Sequence, residues 1–210
     1  MGLLSRRGRT ALVVALAAQR LLELQHSSRN RARARVHDGV AASPRTYPAM
    51  VAVHVALFVR CAFTRRRSSA SAITEVCALT GLASALFLRL SAIRALGPEW
   101  NVTAHVSPTA HVVTSGPYRW VRHPNYTAVM LEFACLPVAV GSPRAAAWLS
   151  LGDAMVLWPR IRAEEALLDG LPGYREAFAG VPRFLPLPGR RSQKPPRLSQ
   201  SAAVSLPKPQ

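Results

Sequence analysis

The stretch TSGPYRWVRHPNY, residues 114–126, lies between apolar runs and decides how the chain can fold. Gly116-Pro117 and Pro124 exclude one continuous helix through it, since proline lacks the amide hydrogen that a helix interior requires. Cationic or titratable side chains alternate here with aromatic rings: Arg119, Arg122 and His123 with Tyr118, Trp120 and Tyr126. Beside a membrane-length helix, such groups either form an interfacial aromatic and arginine belt or line a polar cavity.

The composition separates this chain from soluble basic proteins. Half of its 210 residues are apolar, yet its formal net charge is +17. A soluble nucleic-acid binder could carry that charge, but it would not usually carry several apolar runs approaching bilayer length. We therefore expect a lipid bilayer as partner and no nucleic acid. Cys61, Cys77 and Cys135 lie inside apolar segments without CxxC or metal-ligand spacing, so we predict reduced core residues and no metal site.

Five apolar runs lie along the chain, at residues 10–24, 47–63, 70–96, 126–140 and 145–158. They predict an all-α integral membrane protein with five transmembrane helices, because a spanning backbone must satisfy its own hydrogen bonds. Residues 141–144 are short enough to join the last two as a tight hairpin. The first run also resembles a secretory signal peptide, but its apolar pattern continues past the supposed cleavage site. Gln19 and Glu23, four apart on one face, favour a retained first membrane helix.

The basic residues outside these runs set the expected orientation. With the N-terminus outside, residues 25–46, 97–125 and 159–210 together carry sixteen Lys and Arg residues, against seven in the segments on the other side. This bias favours the cytoplasmic side for those segments, with residues 25–46 as a solvated loop and the N-terminus outside. Residues 97–125 and 159–186 would then form a cytoplasmic cap. We predict one domain over residues 1–186, followed by a disordered tail over residues 187–210, which is rich in Pro, Ser and Arg and lacks apolar periodicity.

Three polar residues inside the apolar runs require an explanation. Glu132 is expected to face protein or a cavity, which makes it a secondary site candidate. We interpret His54 as a buried, hydrogen-bonded histidine in preference to a metal ligand. Arg89, near the end of its run, is expected to extend toward the membrane interface.

A charged helical segment follows the last apolar run. Arg160 and Glu164 are four residues apart and point the same way on a helix. They form either a surface ion pair or a cation and an anion that together hold a zwitterionic small molecule. Arg162 and Glu165 point elsewhere around the helix, so they are expected to matter less. The sequence contains no Walker loop or GxGxxG motif, so any nucleotide-like cofactor is not bound by a Rossmann-type glycine loop.

In combination, these motifs resemble the isoprenylcysteine carboxyl methyltransferase family of integral membrane enzymes. The resemblance rests on SGPYRWVRHPNY, an apolar hairpin, RxRxEE and the ending YxxxFxxVPRFLP, and it is strongest over residues 112–186. The segments QRLLELQHSSRNR and TYPAMVAVH are similar to bacterial members found beside type III polyketide synthases and associated with O-methylation of alkylresorcinol-type lipids. The resemblance implies S-adenosylmethionine from the cytosol, a lipophilic or lipidated acceptor from the bilayer, and the bacterial plasma membrane as location.

The resemblance also implies roles for individual residues. It assigns Glu164 to holding the cofactor and Arg160 to a place near the acceptor, with His123 as the nearest candidate base, although shaping the cofactor turn is its favoured role. The other matching cofactor-binding positions are Val112, Val113, Tyr118, His123, Pro124, Asn125 and Tyr126. Ala128 stands where the family usually has glycine, and Ala110 replaces a histidine of the eukaryotic enzymes. Both departures count against protein prenylcysteine as substrate.

Two other functions share part of this pattern. An NADPH-dependent sterol or fatty-acyl reductase of the membrane has a similar RHxNYxG turn, but its ending carries an Arg-Asp pair where this chain has Glu164-Glu165. A non-catalytic membrane or lipid-binding protein is the third possibility. Binding of S-adenosylmethionine or NADPH separates the three.

Overall fold

The fold is a bundle of long helices, as the all-α prediction required. The computed structural model describes residues 3–36, 40–41, 46–64, 71–103, 105–106 and 111–186. The helices are α1 (Arg6–Val36), α2 (Tyr47–Ala62), α3 (Ala72–Leu96), α4 (Pro124–Ala139), α5 (Pro143–Leu168) and α6 (Tyr174–Ala177). Short 3-10 turns cover Gly97–Glu99 and Gly116–Arg119. A two-residue antiparallel pair, β1 (Val40–Ala41) with β2 (His105–Val106), is the one exception to the all-α class in the described residues. The predicted tail, residues 187–210, lies outside them.

Helix starts follow the local sequence. The Ser71 hydroxyl accepts a hydrogen bond from the Thr74 amide at 3.1 Å and so caps α3. Pro124 and Pro143 open α4 and α5, where the missing amide hydrogen has no consequence. Between these two helices, Gly141 adopts a φ of 90° in the predicted tight hairpin.

The bundle core is apolar and closely packed. Leu57 of α2, Phe133 and Leu136 of α4 and Leu157 of α5 are almost inaccessible to solvent. Helices α3 and α4 approach so closely that a Cβ atom at Gly81 would lie 2.5 Å from the Cys135 sulfur. Glycine at this position therefore sets the spacing between the two helices.

The prediction of five spans is only partly supported. Within the described residues, Ala72–Glu99 is the one helical segment long and apolar enough to cross a membrane, with a mean hydropathy of 1.8. Tyr47–Ala62 is also apolar but shorter. The number of spans, the cytoplasmic cap and the orientation stay predictions.

The loop predicted from residue 25 is wrong for its first part, because α1 continues to Val36. No proline or glycine interrupts residues 25–36, and arginine and alanine favour helix. Tertiary contacts hold the extension in place. The Asn30 side-chain amide donates to the carbonyls of Gly97 and Trp100 at 3.1 and 2.7 Å, and the Ser27 hydroxyl accepts from the Val102 amide at 2.8 Å.

Candidate active site

One cavity of about 400 Å³ reaches from the 114–126 turn into the helix bundle. Eight of the nine predicted site residues line it: Val112, Val113, Tyr118, His123, Asn125, Tyr126, Arg160 and Glu164. Pro124 does not line the cavity and is fully buried at the start of α4. The structure therefore brings together residues from both halves of the motif that are some 40 positions apart in sequence.

The turn is held by the C-terminal segment, residues 181–186, which we call the strap. The backbone amides of Arg122 and His123 donate to the carbonyls of Pro182 and Arg183 at 2.8 and 2.9 Å. The Thr127 hydroxyl lies 3.1 Å from both the His123 and Phe184 carbonyls. These bonds satisfy backbone groups that the proline-broken turn would otherwise leave without partners.

A buried hydrogen-bonded chain connects Arg160 with Glu164. The Arg160 Nε donates to the Tyr126 hydroxyl at 2.9 Å, and that hydroxyl donates to Glu164 Oε2. A further guanidinium nitrogen of Arg160 donates to the Val102 carbonyl. Arg160 is only 2% exposed, so the surface ion pair considered for these residues is wrong. Tyr126 lies between the two charges and fixes the side chains of both.

Glu165 is the second carboxylate at the end of α5, and it lies against the strap. It accepts from Arg183 Nη2 at 2.6 Å and contacts His123 Nε2 at 3.0 Å, with Arg122 at 3.4 Å. Burial would raise the pKa of Glu165, but the hydrogen bonds from His123 and Arg183 and the neighbouring charges lower that pKa to about 2. The expectation that Glu165 matters less than Glu164 for the ligand stays a prediction. Glu165 connects the strap to the turn, and its contact with His123 agrees with a turn-shaping role for that histidine.

The cavity is lined by polar atoms that lack protein partners. Eight buried side-chain nitrogen or oxygen atoms of the described residues have no hydrogen-bond partner, and seven of them belong to cavity-lining residues. Five lie near the turn: Trp100 Nε1, Arg122 Nε, Asn125 Oδ1, Arg160 Nη1 and Tyr174 Oη. Burial raises the pKa of Tyr174, so its hydroxyl stays protonated at neutral pH. Because buried polar groups are normally satisfied, this end of the cavity suits a ligand rich in donors and acceptors.

The opposite end of the cavity is apolar. Its walls come from α1 and α2 and include Leu21, Leu24, Val51, Val55, Phe58 and Val59. Several of these side chains are also exposed on the bundle surface, Leu21 at 63% and Val55 at 54%. One cavity thus combines a polar end and an apolar end, as an amphiphilic ligand or a polar and an apolar ligand together would require.

A second polar group lies deeper in the bundle and was missed as a unit by sequence reasoning. Arg20 pairs with Glu23 at 2.8 Å and with Glu132, and Arg89 Nε donates to Glu23 at 2.6 Å. Arg89 is therefore buried, and the expectation that it extends to the interface is wrong. Glu132 faces protein, as expected, but does not line the large cavity. The sequence feature that could have indicated this group is the presence of ionisable residues inside apolar runs.

His54 belongs to the same region. Its Nδ1 donates to the Met50 carbonyl at 2.8 Å, and its ring packs edge-on against Phe133. The predicted hydrogen bond of His54 is confirmed, but the side chain is half-buried and not fully buried as predicted. His54 also lines the cavity, which its position in the sequence alone did not indicate.

The fold and the site together define the class of protein. It is a helical protein with many exposed apolar side chains, and its cavity, which has a polar and an apolar end, lies beside a proline-broken turn. The model of the isoprenylcysteine carboxyl methyltransferase (ICMT) family matches residues 77–170, from α3 to the end of α5. The match confirms the resemblance drawn from the motifs, and this family consists of membrane-integral methyltransferases. The chain is also similar to the uncharacterized protein YpbQ of Bacillus subtilis (strain 168), with 27% identity over 170 residues, 75% of this chain and 95% of the relative. The predicted association with polyketide synthases stays a prediction.

Proposed function

We propose that this protein transfers a methyl group from S-adenosylmethionine to an oxygen atom of a lipophilic acceptor at the membrane. The observation that carries the proposal is the Arg160–Tyr126–Glu164 chain, which lines a cavity with one polar end and one apolar end. The family match over residues 77–170 supports the reaction class.

The polar end has the groups that the donor would require. Glu164 offers a carboxylate to an ammonium group, since only one of its oxygens is bonded to Tyr126. Asn125 Oδ1 and the Tyr174 hydroxyl have no partners within the described residues and could bind the polar parts of a nucleoside. Arg122 Nε, also without a partner, suits a carboxylate. Bound S-adenosylmethionine would supply a methyl group already activated by its positively charged sulfur.

Arg160 is the residue that we propose for the acceptor. Its Nε and Nη2 are held by Tyr126 and Val102, so Nη1 is the remaining donor, buried and without a partner. A guanidinium fixed in this way can orient an acceptor oxygen at little further entropic cost. A carboxylate acceptor is ionised at neutral pH and needs no base, whereas a phenol with a pKa near 10 benefits from one.

The apolar end would hold the acceptor's hydrocarbon part. Leu21, Val55 and Val59 are lining residues that are also exposed at the bundle surface, so an acceptor could enter between α1 and α2 from the bilayer. Five spans with the turn, the strap and the end of α5 on the cytoplasmic side would give the donor access from the cytosol. We propose the bacterial plasma membrane as the location, as the resemblance to bacterial members implies.

A tritium-transfer assay tests the proposal. The full chain in lipid nanodiscs is incubated with donor labelled in its methyl group and either farnesylcysteine or an alkylresorcinol. We expect label in at least one lipid product. Label in neither lipid would contradict the proposal, and lipid-dependent oxidation of NADPH would then favour a reductase.

A further inference from the structure

Two groups of residues, one near the turn and one deeper in the bundle that we call the second layer, lie two helical turns apart, and Arg160 and Tyr126 of the first and Arg20 and Arg89 of the second line the cavity. In four helices, a residue near the turn is followed, seven positions deeper, by a residue of the second layer. The pairs are Ser27 and Arg20 in α1, Leu96 and Arg89 in α3, Tyr126 and Phe133 in α4, and Arg160 and Asp153 in α5. Phe133 contacts the ring of His54. Seven residues advance a helix by about 10 Å, so the two groups lie about 10 Å apart along each of these helices.

The second layer is charged but balanced. Arg20 and Arg89 face the carboxylates of Glu23 and Glu132 in direct ion pairs. Asp153, which is 2% exposed, lies within electrostatic reach of Arg20. Two guanidiniums among these carboxylates leave no excess positive charge, so a further anion would not be favoured there.

This layer nevertheless offers hydrogen bonds to the cavity. Arg20 and Arg89 both line the cavity, and the buried atoms Arg20 Nε and Arg89 Nη1 have no partner within the described residues. The Arg89 side chain is 7% exposed. Because His54 donates through Nδ1 to Met50, its Nε2 is an acceptor in the neutral ring. Two donors and one acceptor therefore meet in an otherwise apolar part of the cavity. A hydroxyl group, which both accepts and donates, matches them.

We propose that Arg20, His54 and Arg89 bind a second, neutral hydroxyl of the acceptor, about 10 Å from the oxygen that receives the methyl group. The inference rests on the proposed function, since it assigns the ligand of this layer to the methyl acceptor. The acceptor is thus an amphiphile with two separated oxygen functions. Were the layer only structural, its donors would be expected to pair within the protein, because leaving them buried and unpaired is unfavourable.

Binding of matched lipids to the full chain in nanodiscs, without methyl donor, tests the inference. The three probes are 4-dodecylphenol, its analogue with a chain hydroxyl about 10 Å from the phenol oxygen, and the analogue with that hydroxyl at the chain end. We expect the first analogue to bind about tenfold more tightly than 4-dodecylphenol, as one charge-assisted hydrogen bond would provide. The chain-end analogue should show no such gain.

Two variants test whether Arg89 and His54 cause the tighter binding of the first analogue. Arg89→Lys keeps the charge that pairs with Glu23 but removes the Nη1 donor, and His54→Phe removes the Nε2 acceptor. Each should reduce the tenfold preference to about twofold or less, while Arg94→Lys, an exposed position on the same helix, should keep it. Melting temperatures of all variants establish that the bundle is folded.

Three results would overturn the inference: equal binding of the three probes by the wild type, an unchanged preference in both variants, or no saturable binding of any probe. The proposed function fails by a different measurement, the absence of tritium transfer to farnesylcysteine and alkylresorcinol. Equal binding of the three probes by the wild type, together with normal methylation, therefore rejects the second layer alone.

Discussion

The end of α5 has two faces that carry neighbouring carboxylates in opposite surroundings. The cavity face holds Arg160 and Glu164, joined through Tyr126, and Arg160 Nη1 has no partner within the described residues. The strap face holds Glu165, which contacts three cationic or titratable side chains, those of Arg122, His123 and Arg183. Glu164 and Glu165 are adjacent in the helix. Glu164 keeps one carboxylate oxygen available for a ligand, whereas the Glu165 carboxylate is fully paired.

The difference indicates how the two faces divide their work. A fully paired carboxylate stabilises the elements that it joins and has little capacity left for a ligand. In the hydrogen-bonded chain, the Arg160 side chain is held in place by Tyr126, yet its Nη1 donor has no partner within the described residues. A fixed donor that lacks a partner is typical of a preorganised site. We therefore propose that the cavity face carries binding and transfer and that the strap face maintains the turn.

The largest effect is expected at Arg160. Arg160→Ala should lower kcat by about 100-fold or more, the usual result of removing a preorganised donor from the reacting oxygen. Arg160→Lys should restore only part of the rate, since an ammonium group cannot reproduce the guanidinium geometry. Steady-state methylation kinetics measure both variants. Arg162→Ala, an exposed position two residues along, is the matched control, and equal small losses at Arg160 and Arg162 would contradict the assignment.

A smaller loss should follow removal of the bridging hydroxyl. Tyr126→Phe keeps the ring but disconnects Arg160 from Glu164, so kcat/KM should fall by about tenfold. The effects of Tyr126→Phe and Arg160→Ala should be less than additive in the double variant, because both disrupt one chain. Strict additivity of the two activation free energies would show that the residues act independently.

On the strap face, Glu165→Gln should reduce stability more than catalysis. The pKa of Glu165 lies at about 2, below its ordinary value of 4.5. Its ionised form therefore stabilises the fold above about pH 4.5, and that contribution disappears as the pH falls toward 2. At pH 7 the variant should lose about 1–2 kcal/mol, discounted because Arg183 is partly exposed.

Denaturant unfolding of wild type and Glu165→Gln at pH 7 and pH 3 measures this effect. The difference between the two proteins should be smaller at pH 3. A difference that is constant or larger in acid would mean that the Glu165 charge does not hold the strap.

The smallest effect is expected beyond the strap. Truncation after Pro186 should leave kcat within about twofold, or about 0.4 kcal/mol in the barrier, because residues 187–210 have no apolar period with which to pack. The same assay with full-length and truncated chains tests this. A large loss would mean that residues 187–210 also contribute to the active site.

Local signals in the sequence predicted much of this architecture. Prolines and glycines marked the turn, the start of α4 and the hairpin, and the motif order brought Arg160 and Glu164 to the site. The extension of α1 was missed because it depends on Asn30 and Ser27 contacting residues some 70 positions away. The role of Glu165 and the pairing of Arg89 with Glu23 were missed for the same reason. Which neighbour a charged side chain meets is decided by tertiary packing, not by helical spacing.

Calorimetric titration with S-adenosylmethionine tests the central claim most directly, since the cavity face must bind the methyl donor through Glu164. Wild type and Arg162→Ala should bind with the same affinity, whereas Glu164→Gln should bind 10–100-fold more weakly, or about 1.5–3 kcal/mol for a charge-assisted bond. NADPH should not bind. Unchanged donor affinity in Glu164→Gln, or binding of NADPH in place of the donor, would contradict the account.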